Sequence, residues 1–95
     1  ISGANTLKEL NQLEIQSQNF IKKNLLDSGV RIIHPDTVYI ESNVNISPRV
    51  VIEPNVVIKN NVNIKSETII KSFSYIENSS IGRNFSIGTY SRIIQ

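Results

Sequence analysis

Cysteine, methionine and tryptophan are all absent from these 95 residues, histidine occurs once, and the aromatic side chains are three Tyr and three Phe. Without cysteine there is no disulfide framework, no thiolate metal site and no cysteine nucleophile. Charge of one sign is scarce too. Ten Lys and Arg against eight Asp and Glu leave a formal +2, too weak a field to point to nucleic acid or to a membrane surface. Apolar runs stop at two or three residues, so no segment has the length of a bilayer span or the form of a signal-peptide core, and the expected compartment is the cytoplasm. The length allows one small domain and excludes a two-domain enzyme with an interdomain cleft. The lack of any Met, with bulky Ile1 in first place, is what a piece of a longer polypeptide or a processed product would show.

What the chain has in excess is isoleucine, 17 residues of it, beside 12 Asn and 12 Ser. A β-branched core divided by turn formers is the mark of a repeat. From Val38 onward Ile40, Ile46, Ile52, Ile58, Ile64, Ile70 and Ile76 fall in one six-residue frame. Two positions before each stand Val38, Val44, Val50, Val56, Val62, Thr68 and Ser74. One residue is then dropped, and the frame resumes at Ile81, Ile87 and Ile93 behind Ser79, Phe85 and Ser91. Each unit opens with an in-out-in triplet and closes with a polar trio such as Glu53-Pro54-Asn55. Asn43, Asn55, Asn61 and Asn84 share one turn slot, which predicts a left-handed backbone there. A strand plus a corner every six residues closes a three-sided prism, with about three coils of parallel strands spaced about 4.8 Å. The five-residue step from Ile76 to Ile81 predicts a tightened corner, and Phe85, in a slot for small residues, predicts a distorted or widened coil.

Leu7 to Leu26 follows a different period. Thr6 with Glu9 three residues on forms a capping box; Leu7, Leu10, Leu13, Phe20, Ile21 and Leu25 fall on one side at helical spacing; Gly29 is placed to end the helix. The stripe predicts packing against the prism or a neighbouring subunit, with Ser17 and Asn24 as interruptions that predict a break or a half-exposed middle. Pro35 makes the stretch from Val30 extended. The expected organisation is a connecting helix over 1–29, an extended connector over 30–37 and a β-helix over 38–95. Three coils alone are marginal, and their ends are open strand edges, so further coils or self-association is expected.

Gly3-Ala4-Asn5-Thr6, Leu10-Asn11-Gln12-Leu13-Glu14, the run from Ser28 to Pro35, the hexads, and Ser86-Ile87-Gly88-Thr89-Tyr90-Ser91-Arg92 together resemble the middle of a known family. It is the bifunctional bacterial N-acetylglucosamine-1-phosphate uridylyltransferase / glucosamine-1-phosphate N-acetyltransferase family. The resemblance implies a mainly β fold, a left-handed parallel β-helix of about three coils preceded by one long α-helix; the left hand comes from the family, not from the period. It also implies a Rossmann-like uridylyltransferase domain upstream, homotrimers, and acetyl transfer from acetyl-CoA between neighbouring β-helices. By resemblance Asn5 matches an asparagine that helps hold Mg²⁺, with an aspartate partner outside this sequence. The family's phosphate-gripping Arg falls on Ile94, a departure, and its catalytic His and acetyl-CoA contacts map beyond Gln95. Expected, then, is a scaffold and trimerisation segment with no complete active site and no cofactor of its own, Mg²⁺ and acetyl-CoA belonging to the parent enzyme. A part of another hexapeptide acyltransferase and a standalone structural solenoid stay open beside it.

Other candidates read more plainly. His34 alone makes neither a triad nor a zinc site, which would need several His at repeat spacing, and it is read as a connector-turn residue. Gly82 and Gly88 sit at hexad corners and not ahead of a helix, so they form no phosphate loop. Lys59, Lys65 and Lys71, six apart, are read as one outward, solvated ridge.

Overall fold

The computed structural model describes residues 6–95, so Asn5 lies outside the described residues. Helix α1 runs from Leu7 to Asp27 without a break, about 32 Å. Its start is the expected box: Glu9 N–H donates to Thr6 Oγ1 at 3.1 Å and Thr6 N–H donates to Glu9 Oε1 at 2.9 Å. Its end is fixed by Gly29 at φ 101, where a side chain would be strained and an added Cβ would come 3.4 Å from Pro48 Cβ.

Eleven short strands follow. β1 is Arg31–Ile32, β2 Tyr39–Ile40, β3 Asn45–Ile46, β4 Val51–Ile52, β5 Val57–Lys59, β6 Asn63–Ile64, β7 Ile69–Ile70, β8 Tyr75–Glu77, β9 Ser80–Ile81, β10 Ser86–Ile87 and β11 Arg92–Ile94. They stack as three parallel sheets, in the orders β1-β4-β7-β10 (face one), β2-β5-β8-β11 (face two) and β3-β6-β9 (face three). This is the left-handed β-helix behind one long helix. The solenoid starts earlier than the hexad frame does, because Arg31 and Ile32, expected in the connector, already pair with Val51 and Ile52 as its first strand.

Register records where the repeat holds. Tyr39 stands over Val57, Asn45 over Asn63 and Val51 over Ile69, eighteen residues apart. Arg31 over Val51 is two residues longer, the excess taken up by a 3₁₀ turn at Pro35–Thr37. Asn63 over Ser80 is one residue shorter. Asn60 and Asn61, both left-handed, turn the corner of the second coil, and Asn78 turns it alone in the third, the tightened corner that the five-residue step predicts.

Ile40, Ile52, Ile58, Ile70 and Ile76 are wholly buried, as are Val50, Val56 and Val62. In the lower coils the same inward columns hold hydroxyls. Thr68 donates to Gly82 C=O, Ser74 shares its proton between Lys71 C=O at 2.6 Å and Gly88 C=O at 3.1 Å, and Ser79 donates to Glu77 C=O, so each buried hydroxyl spends its proton on a backbone carbonyl at or beside a corner. Phe85 does not disturb its coil. It lies in the last coil with its ring 54% exposed, and β10 keeps its pairing with β7 beside it.

The left-handed slot is a property of the corner more than of its occupant. Asn55, Asn61 and Asn84 adopt it as expected, but so do Arg49, Glu67, Phe73 and Tyr90, each third after an inward Ile. Asn43 does not adopt it, because Val44 N–H donates to Glu41 C=O and closes that first-coil corner as an ordinary tight turn.

Candidate functional site

Helix and solenoid meet at the open edge of the first coil. The predicted stripe is not what meets it. Leu7, Leu10, Leu13 and Phe20 are exposed, only Ile21 and Leu25 pack on the core, and the buried helix residues are Gln18 and Lys22. The reason lies in what an edge needs. A coil with no neighbour on one side presents peptide N–H and C=O groups, and a hydrocarbon surface would leave them unpaired. Gln18 answers as another strand would: Ile40 N–H donates to its Oε1 at 3.0 Å, and its Nε2 donates to Ile40 C=O at 2.8 Å. Lys22 Nζ donates to Pro35 C=O at 2.6 Å and to Val38 C=O at 2.8 Å. Burial pushes the Lys22 amine below its ordinary pKa, while the nearby Asp36 carboxylate works against that fall.

Glu14, Asp36, Thr37 and Tyr39 join these two side chains around a cleft of about 400 Å³ between α1 and β2. Burial and the charges of Glu14 and Glu41 push the Tyr39 phenol above its ordinary pKa. Because Gln18 and Lys22 are committed to backbone, the arrangement holds the helix in place and offers no activated nucleophile. Sequence reasoning missed this pair. Its signal was polar Gln18 and Lys22 one turn apart, ahead of Leu25 on the same side, legible only when the helix is asked to cover peptide groups instead of methyls.

The three outer faces differ. Face three shows Asn45, Asn63 and Ser80, with Asn45 Nδ2 donating to Asn63 Oδ1 at 3.2 Å. Face two shows Tyr39, Val57, Tyr75 and Arg92 in a column. Lys59 Nζ stands 5.8 Å from the centre of the Tyr39 ring, Arg92 stands 5.2 Å from that of Tyr75, and Tyr75 OH donates to Glu77 at 2.8 Å. That bond to Glu77 is the main reason the Tyr75 phenol is held above its ordinary pKa. On the corner between faces one and two, the exposed rings of Phe73 and Tyr90 stack with centres 5.2 Å apart and planes 14° from parallel.

The remaining sequence candidates separate. Lys59, Lys65 and Lys71 do not form one ridge: Lys59 lies in β5 on face two, Lys65 follows β6 on face three, and Lys71 follows β7 on face one. A six-residue step is a third of a turn; a ridge along this prism repeats every eighteen. Gly82 and Gly88 are corner residues whose carbonyls receive the Thr68 and Ser74 hydroxyls. His34 is exposed and caps the 3₁₀ turn through its C=O, which accepts from Thr37 N–H and Oγ1. Among the described residues no three His, Cys, Asp or Glu side chains gather where they could hold a metal ion. Ile94, at the slot of the family's Arg, is 45% exposed at the end of β11. No helix of the described residues is long and apolar enough to cross a membrane.

With this geometry in view, the sequence profile of the GMPPB C-terminal domain matches residues 20–95, from the middle of α1 through every coil. The chain belongs to that family. It is also similar to the bifunctional protein GlmU of Sulfurimonas denitrificans, 45% identical over 42 residues, which are 44% of this chain and 10% of that protein. The chain therefore spans only a small part of the length of that relative. The resemblance to the bifunctional enzymes stands, and the chain is GlmU-like. The GMPPB kinship is one that the motifs alone did not bring out.

Proposed function

We propose that this stretch is the arm and opening coils of a GlmU-like transferase, and that its own part is to scaffold and to self-assemble as a homotrimer of prisms side by side. Acetyl-CoA and Mg²⁺ belong, in this reading, to chemistry carried by other residues of such an enzyme. The observation that carries it is the Phe73–Tyr90 stack. The corner imposes φ 63 on Phe73 and φ 62 on Tyr90, a conformation that bulky side chains adopt at a cost, and both rings face outward. At other corners the same slot holds Arg49, Asn55, Asn61, Glu67 and Asn84, all polar. The two rings pack on each other within the chain, yet Phe73 is still 52% and Tyr90 76% exposed, surface that another chain would cover, and a three-fold axis parallel to the solenoid sets each ring level with its copies.

Sedimentation equilibrium tests the assembly. The expected mass is a multiple of three chains, lowered by the double substitution Phe73→Asn, Tyr90→Asn, which keeps the corner's backbone preference. A wild-type mass of one or two chains at every concentration overturns it. Incubated with acetyl-CoA and glucosamine 1-phosphate, the 95-residue chain is expected to transfer no acetyl group; turnover would place the chemistry on these residues after all.

A further inference from the structure

The helix carries an apolar stripe that neither its seat nor the solenoid assembly uses. Leu10, Leu13, Ser17, Phe20 and Asn24 recur at alternating steps of three and four, the seam of a coiled coil, and all five are exposed. At 100° per residue the stripe is turned roughly 110° from the seat formed by Gln18, Ile21, Lys22 and Leu25, so the solenoid does not cover it. We propose that it is a docking surface for the same stripe of a second copy, the two helices running antiparallel.

Charge selects both the occupant and its direction. Flanking the seam are Glu9, Gln16 and Lys23 on one side, Glu14 and Ile21 on the other. Parallel helices would set Glu9 against Glu14 of the second copy, like against like. Antiparallel helices set Glu9 against Lys23 twice and Gln16 against Gln16 on one side, and Leu7 against Ile21 twice with a single Glu14–Glu14 contact on the other, so two like-charge pairs give way to two opposite-charge pairs and one like-charge contact. The same register places Leu10 on Phe20 and Leu13 on Ser17, each twice by the two-fold axis, with polar Asn24 left at the ends. Lys23 already pairs with Asp27 at 3.0 Å, but both are well exposed, so exchanging that partner costs little. The solenoid helps form the receptor: Phe20 and Asn24 with Ser42 and Val44 line a groove of about 320 Å³, where Leu10 of the second copy arrives. Ser17 and Asn24, which interrupt the stripe as a buried core face, fit a seam: the small Ser17 admits the opposing Leu13, and a polar residue at such a position fixes register.

The absence of cysteine makes the test clean. Under mild oxidation the full chain carrying Gln16→Cys is expected to give a disulfide-linked pair at least tenfold faster than Lys8→Cys, which lies away from the seam on the same helix. Leu13→Glu is expected to halve the solution mass with helical circular dichroism unchanged. Lys23→Glu is expected to weaken the pair about three- to tenfold, a loss parallel helices would not show. Equal cross-linking of the two cysteine variants, or a mass indifferent to Leu13→Glu, overturns the proposal. It fails separately from the trimer: solenoid contacts alone give three chains, helix pairing alone gives two, and both together give six.

Discussion

In the solenoid the isoleucines and valines of the six-residue frame are mostly the buried residues, while in α1 the apolar residues are mostly the exposed ones. Ile58 and Gln18 mark the two cases. Ile58 is wholly buried in the second coil between Ile40 above and Ile76 below, in a column where side chain meets side chain. Gln18 is buried where a helix meets peptide groups. Hydrophobic periodicity measures only the first kind of burial, and a helix that closes a strand edge is selected for donors and acceptors.

The largest effect should come from breaking the solenoid side of this contrast. Ile58→Ala removes side-chain atoms from a column with no slack and is expected to cost about 2–5 kcal/mol in urea unfolding. Leu7→Ala, on the helix, strips a residue that is 85% exposed and should stay within about 0.5 kcal/mol. Equal losses at the two positions would mean that the helix stripe is a core after all.

Gln18→Leu sharpens the other side. By the apolar pattern alone it should stabilise. By the edge argument it strands the N–H and C=O of Ile40 and is expected to cost about 1–3 kcal/mol. Hydrogen exchange at the Ile40 amide checks the cause, since faster exchange should accompany the loss.

Lys22 gives a smaller, pH-resolved version. Burial lowers the folded amine's pKa below its unfolded value of about 10.4, so on approach to that pH the unfolded chain holds more protons and stability rises with pH. Lys22→Met should flatten that rise and, by depriving the carbonyls of Pro35 and Val38 of their donor, cost about 1 kcal/mol at neutral pH. An unchanged alkaline slope in the variant would show that the amine is not titrating in its seat.

The same contrast explains what was legible beforehand. The isoleucine frame carries the strand positions, the inward columns and even the short corner at Asn78, because stacking forces identical geometry on each coil and the repeat amplifies it. Where the repeat lapses the reading lapses. β1 lies ahead of the hexad frame, and its pairing with β4 twenty residues on is hidden by the two extra residues of the Pro35 turn. The lysine ridge failed because linear spacing of six was read as a direction, although the prism turns through a face in that interval. Gln18 and Lys22 were silent because a polar residue on a helix looks solvated until the surface beneath it is known to be backbone.

The smallest effect lies at the far end of α1, where the capping box was read correctly from Thr6 and Glu9 alone. Hydrogen bonds from the Thr6 N–H and hydroxyl hold the Glu9 carboxyl below its ordinary pKa, against a slight opposing push from burial. The folded value being the lower one, the box's contribution is complete above the unfolded pKa of about 4.3 and is lost as pH falls through the folded value. Glu9→Gln keeps the reciprocal bond without a titrating group, so helical circular dichroism should fall less steeply on acidification than in the wild-type chain. Because the first turn stands clear of the solenoid, strand packing should not follow this change. If the two acid profiles coincide, the cap is neutral in effect, and the helix owes its start to its seat on the solenoid instead.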